Sequence, residues 1–146
     1  VIFILGEVMV VICCIDDNFG MMFNSRRQSQ DKCLRETLLQ ISKNGILKMN
    51  SYSFKQFSKY NAKNIIVDEN FILDTDENSF CFVENISIDI VKDKIKKIIL
   101  FKWNRVYPAD FYFDKSILQN FILTSSFEFK GSSHEIITQE DWIINE

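Results

Sequence analysis

Histidine is nearly absent: His134 is the single one among 146 residues. Zinc sites draw on several histidine and cysteine ligands at short spacing, and that supply is missing. The four cysteines, Cys13, Cys14, Cys33 and Cys81, form no C-x-x-C pair, so no metal ligand set is assigned. Glycine (4 residues) and proline (1 residue) are too scarce for a glycine-rich phosphate cradle, a collagen-like repeat or a linker. No charge sign dominates either. Lys plus Arg number 17 against 20 Asp plus Glu, and the net charge of −3 gives no global attraction to nucleic acid or anionic lipid. No apolar run reaches the roughly 20 residues that a bilayer-spanning helix needs. The N-terminal run, Val1 to Ile15, is broken at Gly6 and Glu7 and lacks the basic segment that opens a signal peptide. No membrane partner is expected.

What is present is a core. Hydrophobic residues make up 47% of the chain, more than disordered sequences carry and enough for one packed domain. The expected organisation is a single domain over 1–146, with 1–8 an N-terminal extension and 9–146 the folded unit. Met9, followed at once by Val10-Val11-Ile12-Cys13-Cys14-Ile15, is the expected natural start. Cys13 and Cys14 lie inside this apolar run, where a reduced thiol behaves as a small core residue. That usage points to a reducing, cytoplasmic compartment.

Continuous hydrophobicity from Val10 to Ile15 predicts a central strand covered on both faces. A polar loop, 17–30, follows. Leu34, Leu38, Leu39 and Ile41 then recur at helical spacing behind Ser29 as N-cap, with Asp31 in the first turn and Asn44-Gly45 at the end. Ile46 to Met49 predicts a strand, Ser51 to Tyr60 a helix with Phe54, Phe57 and Tyr60 on one stripe, and Asn64 to Val67 a buried strand. Strands dominate afterwards, at Phe80 to Val83, Lys96 to Trp103, Phe111 to Phe113 and Phe121 to Phe129. Ile86 to Lys94 fits no single pattern, and Thr138-Gln139-Glu140-Asp141 reads as a capping sequence. The implied class is α/β: a mixed, mostly parallel central sheet flanked by helices, with a C-terminal β-hairpin.

From Met9 onward, the order of elements and several local motifs resemble the dihydrofolate reductase family. Val11 to Met21 (VICCIDDNFGM) is similar to the family's first strand and the start of its mobile active-site loop. Met49-Asn50-Ser51-Tyr52-Ser53-Phe54 is similar to the junction that reads M-G-R-x-T-[FW], and Lys63 to Val67 to the strand after it. Ile98 to Phe101, continuing to Ala109-Asp110-Phe111-Tyr112-Phe113, resembles the late strand and the G-D-T-x-F segment, and Asn120 to His134 suits the closing hairpin. The resemblance implies a substrate cleft at Gly20, Met21, Arg27, Asp31 and Phe101. Asp31 is its catalytic candidate, because the family carries there the carboxylate that grips the pterin. It implies Ser51, Ser53 and Asp68 on the cofactor side.

The departures from that pattern bear on function. The family's phosphate-binding arginine corresponds to Ser51 and its glycine to Asn50, and a hydroxyl does not replace a guanidinium. Ser53 keeps a hydroxyl at a helix start as a weaker anion contact. The family's paired glycines fall on Val83-Glu84, where a carboxylate repels pyrophosphate and side chains fill the space. Asp68 suits a ribose hydroxyl but opposes a 2′-phosphate. The stretch from Asp68 to Phe80 is too short for the family's second cofactor helix. The threonine that supports the family's carboxylate corresponds to Phe101, and the Pro-Trp before the helix to Arg26-Arg27-Gln28-Ser29, whose arginines suit an anionic ligand. The expected function is therefore a cytoplasmic dihydrofolate reductase-like domain with degraded NADPH motifs. No cofactor is expected, and the ligand is a small anionic or heteroaromatic molecule or a partner protein; a homo-oligomer is compatible with the sequence. The alternative is an active NAD(P)H-dependent reductase of a pterin-like substrate, with Asp31 holding the ring and Ser51 and Ser53 the phosphates.

Two further patterns belong to other classes. Lys92, Lys94, Lys96, Lys97, Lys102 and Arg105 interleave with Trp103 and Tyr107, as single-strand binders do. Asp93 and the acidic balance dilute that field, so nucleic acid is not expected as a partner. His134, beside Ser132 and Ser133, invites a nucleophile–base reading but is expected in a surface turn. Two-zinc ribonuclease Z chemistry is excluded by ligand count.

Overall fold

The computed structural model describes residues 9–73 and 79–146; the expected extension at 1–8 lies outside them. The chain begins with β1 (Met9–Ile15), β2 (Gly20–Phe23) and β3 (Arg26–Arg27), then α1 (Lys32–Ser42), β4 (Ile46–Met49), α2 (Ser51–Phe54) and β5 (Ile65–Val67). It continues through β6 (Ser79–Phe82), β7 (Ile95–Lys102), β8 (Phe111–Tyr112), β9 (Phe121–Phe129) and β10 (Ile137–Ile144). The described residues form a seven-stranded sheet of order β5-β4-β6-β1-β7-β10-β9 and a small sheet of order β3-β2-β8. β1 runs parallel to β6 and β7, and β4 parallel to β5 and β6. β10 is antiparallel to both β7 and β9. This is the mixed, mostly parallel α/β sheet that the sequence implies.

The alternation of the central strands divides the interior. Met9, Val11, Cys13 and Ile15 enter one apolar cluster with Ile98 and Leu100, while Val10 and Ile12 enter the opposite one with Ile99 and Phe101. Leu34 and Leu38 of α1 pack into the second cluster against Leu47, Met49 and Phe57. Each fully buried aliphatic or aromatic side chain contributes about 2 kcal/mol, so the two-sided burial of β1 anchors the domain. Burial also pushes the Cys13 thiol far above its ordinary range, with the Glu84 charge adding to the rise. Cys13 is therefore expected to resist dithionitrobenzoate in the native protein at neutral pH and to react once urea unfolds it. Prompt labelling of native Cys13, located by peptide mapping, contradicts this burial.

Several expectations change in the structure. α1 is capped by Asp31, not Ser29, and stops at Ser42, whose carbonyl accepts from the Gly45 N–H (3.0 Å). The helix expected over 51–60 breaks after α2, and a single 3-10 turn covers Ser58–Tyr60. Ile86 to Lys94 contains a 3-10 turn at Asp89–Lys94. The segment expected as a capping sequence, Thr138 to Asp141, lies inside β10 between β7 and β9. Its charges face strand neighbours: Glu140 meets Lys102 at 3.6 Å and Asp141 meets Lys97 at 3.7 Å. The loop 17–30 contains β2 and β3, joined through Asn24 and Ser25 at φ 51° and 59°, as a tight two-residue hairpin requires. No helix among the described residues is long and apolar enough to cross a membrane.

Candidate functional site

The hairpin β2–β3 leaves Arg27 pointing across the cleft between α1, α2 and the end of β6. Its guanidinium forks onto Glu84, Nε to Oε2 at 2.9 Å and Nη2 to Oε1 at 3.1 Å, with side-chain exposures of 18% and 8%. Glu84 Oε1 also accepts from Ser53 Oγ (2.8 Å) and Gln56 Nε2 (3.1 Å). Tyr52 completes the arrangement: its hydroxyl accepts from the Arg27 backbone N–H at 2.8 Å, its carbonyl accepts from Nη2 at 3.2 Å, and its ring lies 4.4 Å beneath the guanidinium. Burial alone lowers the affinity of Arg27 for its proton, but the hydrogen bond and charge of Glu84 outweigh it, so the group is held more firmly cationic than usual. The cavity left between Cys14, Met21, Phe57, Phe82 and Trp103 is ≈ 10 Å³, about one water. The cleft is occupied by the chain's own side chains.

A second polar cluster closes the end of α1. Asp31 is buried, and as N-cap it accepts from the Leu34 N–H (3.1 Å). The loop before β10 supplies the remaining donors, the N–H groups of Ser132 (3.1 Å) and Ser133 (2.8 Å), the Ser133 hydroxyl (3.1 Å) and His134 Nδ1 (3.0 Å). Burial raises the Asp31 carboxyl, but these bonds, led by the Ser133 N–H, hold it well below the usual carboxylate range. An ionised carboxylate accepts only, so His134 Nδ1 donates to Asp31, and the other ring nitrogen is left to face the opposite side. Nε2 faces Ser29 Oγ at 3.0 Å and Tyr107 OH at 3.1 Å, and the ring stacks on Trp103 with centroids 4.6 Å apart. Gly131 permits this docking, since a Cβ there would lie 2.5 Å from Asp31 Oδ2. His134 is thus buried rather than set in a surface turn.

The remaining residues expected at the site fall as follows. Gly20 is buried where a Cβ would meet Gln28 Nε2 at 2.5 Å, and its N–H bonds Asp16. Met21 lines the cleft. Phe101 does not reach it; the ring is fully buried edge-on to Phe129 at 6.2 Å. The Ser51 hydroxyl donates to Glu69, and Ser53 to Glu84, so a carboxylate already stands at both hydroxyls expected to meet phosphate. Asp68 turns its carboxylate to the Asn70 N–H (2.9 Å). Tyr52, Gln56 and Trp103 join the site without a signal in the sequence. The one available hint was that Arg27 and Glu84, of opposite sign, both stand where the family pattern has neither.

This arrangement of chain is similar to a solved dihydrofolate reductase from Enterococcus faecalis, complexed with NADP(H) and RAB-propyl. The TM-score is 0.69 at 9% identity, over 96% of this chain and 98% of that one. The fold is dihydrofolate reductase-like. No family model matches the sequence, and no curated protein matches it. Within this dihydrofolate reductase-like frame, Asp31 opens α1, Ser51 and Ser53 open α2, and Glu84 follows β6.

Outside the filled cleft, a groove of ≈ 340 Å³ runs between α1 and the segment after α2, bordered by Lys32, Arg35, Lys55 and Lys59. Arg35 is fixed there by Tyr60, whose hydroxyl accepts from its Nε (3.1 Å), and by Gln30 Oε1, which accepts from Nη1 (3.1 Å). No carboxylate lines this groove among the described residues. Gln30, Arg35 and Gln56 border both the groove and the cleft.

Proposed function

We propose that this dihydrofolate reductase-like domain is a binding module for a small anionic ligand, taken up in the groove between Lys32, Arg35, Lys55 and Lys59, and that it is not a nicotinamide-dependent reductase. The observation that carries this reading is the Arg27–Glu84 pair, which leaves ≈ 10 Å³ in the cleft. A dinucleotide would also bring phosphates against Glu69 and Glu84, at a cost that grows as water is excluded. Four cations without a facing acid favour an anion instead, with Arg35 offering a preorganised donor fork. The basic stretch after residue 91 supports a small ligand over nucleic acid. Lys92, Lys96, Lys97 and Lys102 stand within 3.7 Å of Asp89, Glu146, Asp141 and Glu140, and Trp103 is buried.

Calorimetric titration tests the proposal. Inorganic tripolyphosphate is expected to bind with an affinity that falls at least about tenfold in Lys55→Glu/Lys59→Glu and weakens with salt. NADPH is expected to give no saturable quenching of protein fluorescence at micromolar concentrations. Micromolar NADPH binding with turnover of dihydrofolate overturns the reading, as does tripolyphosphate affinity unchanged by the double substitution.

A further inference from the structure

We propose that Ser29, His134 and Asp31 form a nucleophile–base–carboxylate site that cleaves small carboxylic esters bearing an anionic group. The anionic class rests on the groove reading above; the nucleophile rests on its own geometry. Ser29 Oγ lies 3.0 Å from His134 Nε2, and His134 Nδ1 lies 3.0 Å from Asp31 Oδ2. That is the order of contacts in which a serine is activated: the carboxylate fixes the tautomer, and the free nitrogen takes the hydroxyl proton. Capping α1 requires one acceptor for the Leu34 N–H, yet the structure adds a buried imidazole, an indole stacked on it and two hydroxyls at its Nε2. These groups come from residues about a hundred positions apart in the chain. Asp31 and His134 are buried, whereas Ser29 is half-buried and borders the cleft. Gln30 and Arg35 border both the cleft and the basic groove, so the proposed ester would rest its anionic end on the groove cations and reach Oγ past these two side chains.

The chemistry balances without a cofactor. Ser29 Oγ attacks the ester carbonyl carbon as its proton passes to Nε2. The bond from that carbon to the alkoxy oxygen breaks, and the imidazolium returns the proton to the departing alkoxide. Water, giving a proton to the same nitrogen, then attacks the acyl-serine; the acid is released, and Ser29 regains its hydrogen.

The test treats the full chain with a fluorophosphonate probe, which phosphonylates activated serines, and locates adducts by peptide mass spectrometry. Ser29 is expected to carry the adduct, and His134→Gln, checked for native circular dichroism, to form it about 100-fold more slowly. Ser25 and Ser126, exposed serines with no imidazole contact, are internal references in the same wild-type digest. Labelling of these at the rate of Ser29 overturns the proposal even where the variant fails to fold. Absence of a Ser29 adduct, or equal rates in wild type and folded His134→Gln, overturns it as well. Hydrolysis of mono-4-nitrophenyl succinate is expected to exceed that of 4-nitrophenyl acetate at least about fivefold. Equal rates with intact Ser29 labelling overturn the anionic substrate class alone, and neither readout depends on tripolyphosphate binding.

Discussion

Glu84→Ala is expected to lower the stability of the fold by about 3 kcal/mol and its melting temperature by roughly 10 °C, as read by circular dichroism. The loss does not measure the strength of an ion pair, because taking two charges out of water nearly cancels their attraction. It comes from what is left behind. Arg27 keeps a cation that is 18% exposed, with no counter-charge, above the Tyr52 ring. Ser53 and Gln56 lose the acceptor they share, and each unsatisfied buried donor costs about 1–3 kcal/mol. The double variant Arg27→Met/Glu84→Leu removes both charges and restores apolar volume, so it is expected to recover most of the loss. A change below about 0.5 kcal/mol in Glu84→Ala would show that the pair does not hold the cleft shut.

Asp31→Asn is expected to cost about 2–3 kcal/mol at neutral pH, because an amide accepts fewer hydrogen bonds and presents donors to N–H groups that need acceptors. The wild type carries a pH signature that the variant lacks. The folded-state carboxyl titrates below the unfolded one, so its contribution is complete above the unfolded value of about 4 and drains away as pH falls below it. Urea midpoints measured between neutral and acid pH are therefore expected to converge for the two proteins at low pH. Parallel curves across the whole range would mean that the loop 131–134 does not depend on this charge.

The sheet was largely legible because most of its strands are covered on both faces. β1 stands out as an unbroken apolar run, and β4, β6 and β7 as mostly apolar ones. β10 was hidden by its own chemistry. Thr138, Gln139, Glu140 and Asp141 read as a capping sequence until Lys97 and Lys102 of the neighbouring strand are placed beside them. β2, β3 and β8 are too short to show a period, and the start of β2 is held by Asp16, which accepts from the N–H groups of Asn18 and Gly20 as well as Tyr107. The site was legible in part. Asp31 and Arg27 were singled out, but for contacts with a ligand. Their partners, Glu84 and His134, lie 57 and 103 residues away, beyond any local pattern. His134 looked like a surface residue because Gly131-Ser132-Ser133 surrounds it in sequence, whereas Trp103 and Asp31 enclose it in space.

The Arg27–Glu84 contact also sets the terms on which any intruder competes. A free metabolite is limited by its concentration in solution. A guanidinium carried on a short hairpin of the same chain faces its carboxylate at an effective concentration of millimolar or above, because the connection is short and already ordered. Displacing it means competing with a tethered rival that never diffuses away. Substitutions that shorten or uncharge residue 27 therefore dismantle this competition directly, and they offer a route by which the same scaffold would gain an open interior without altering the central sheet.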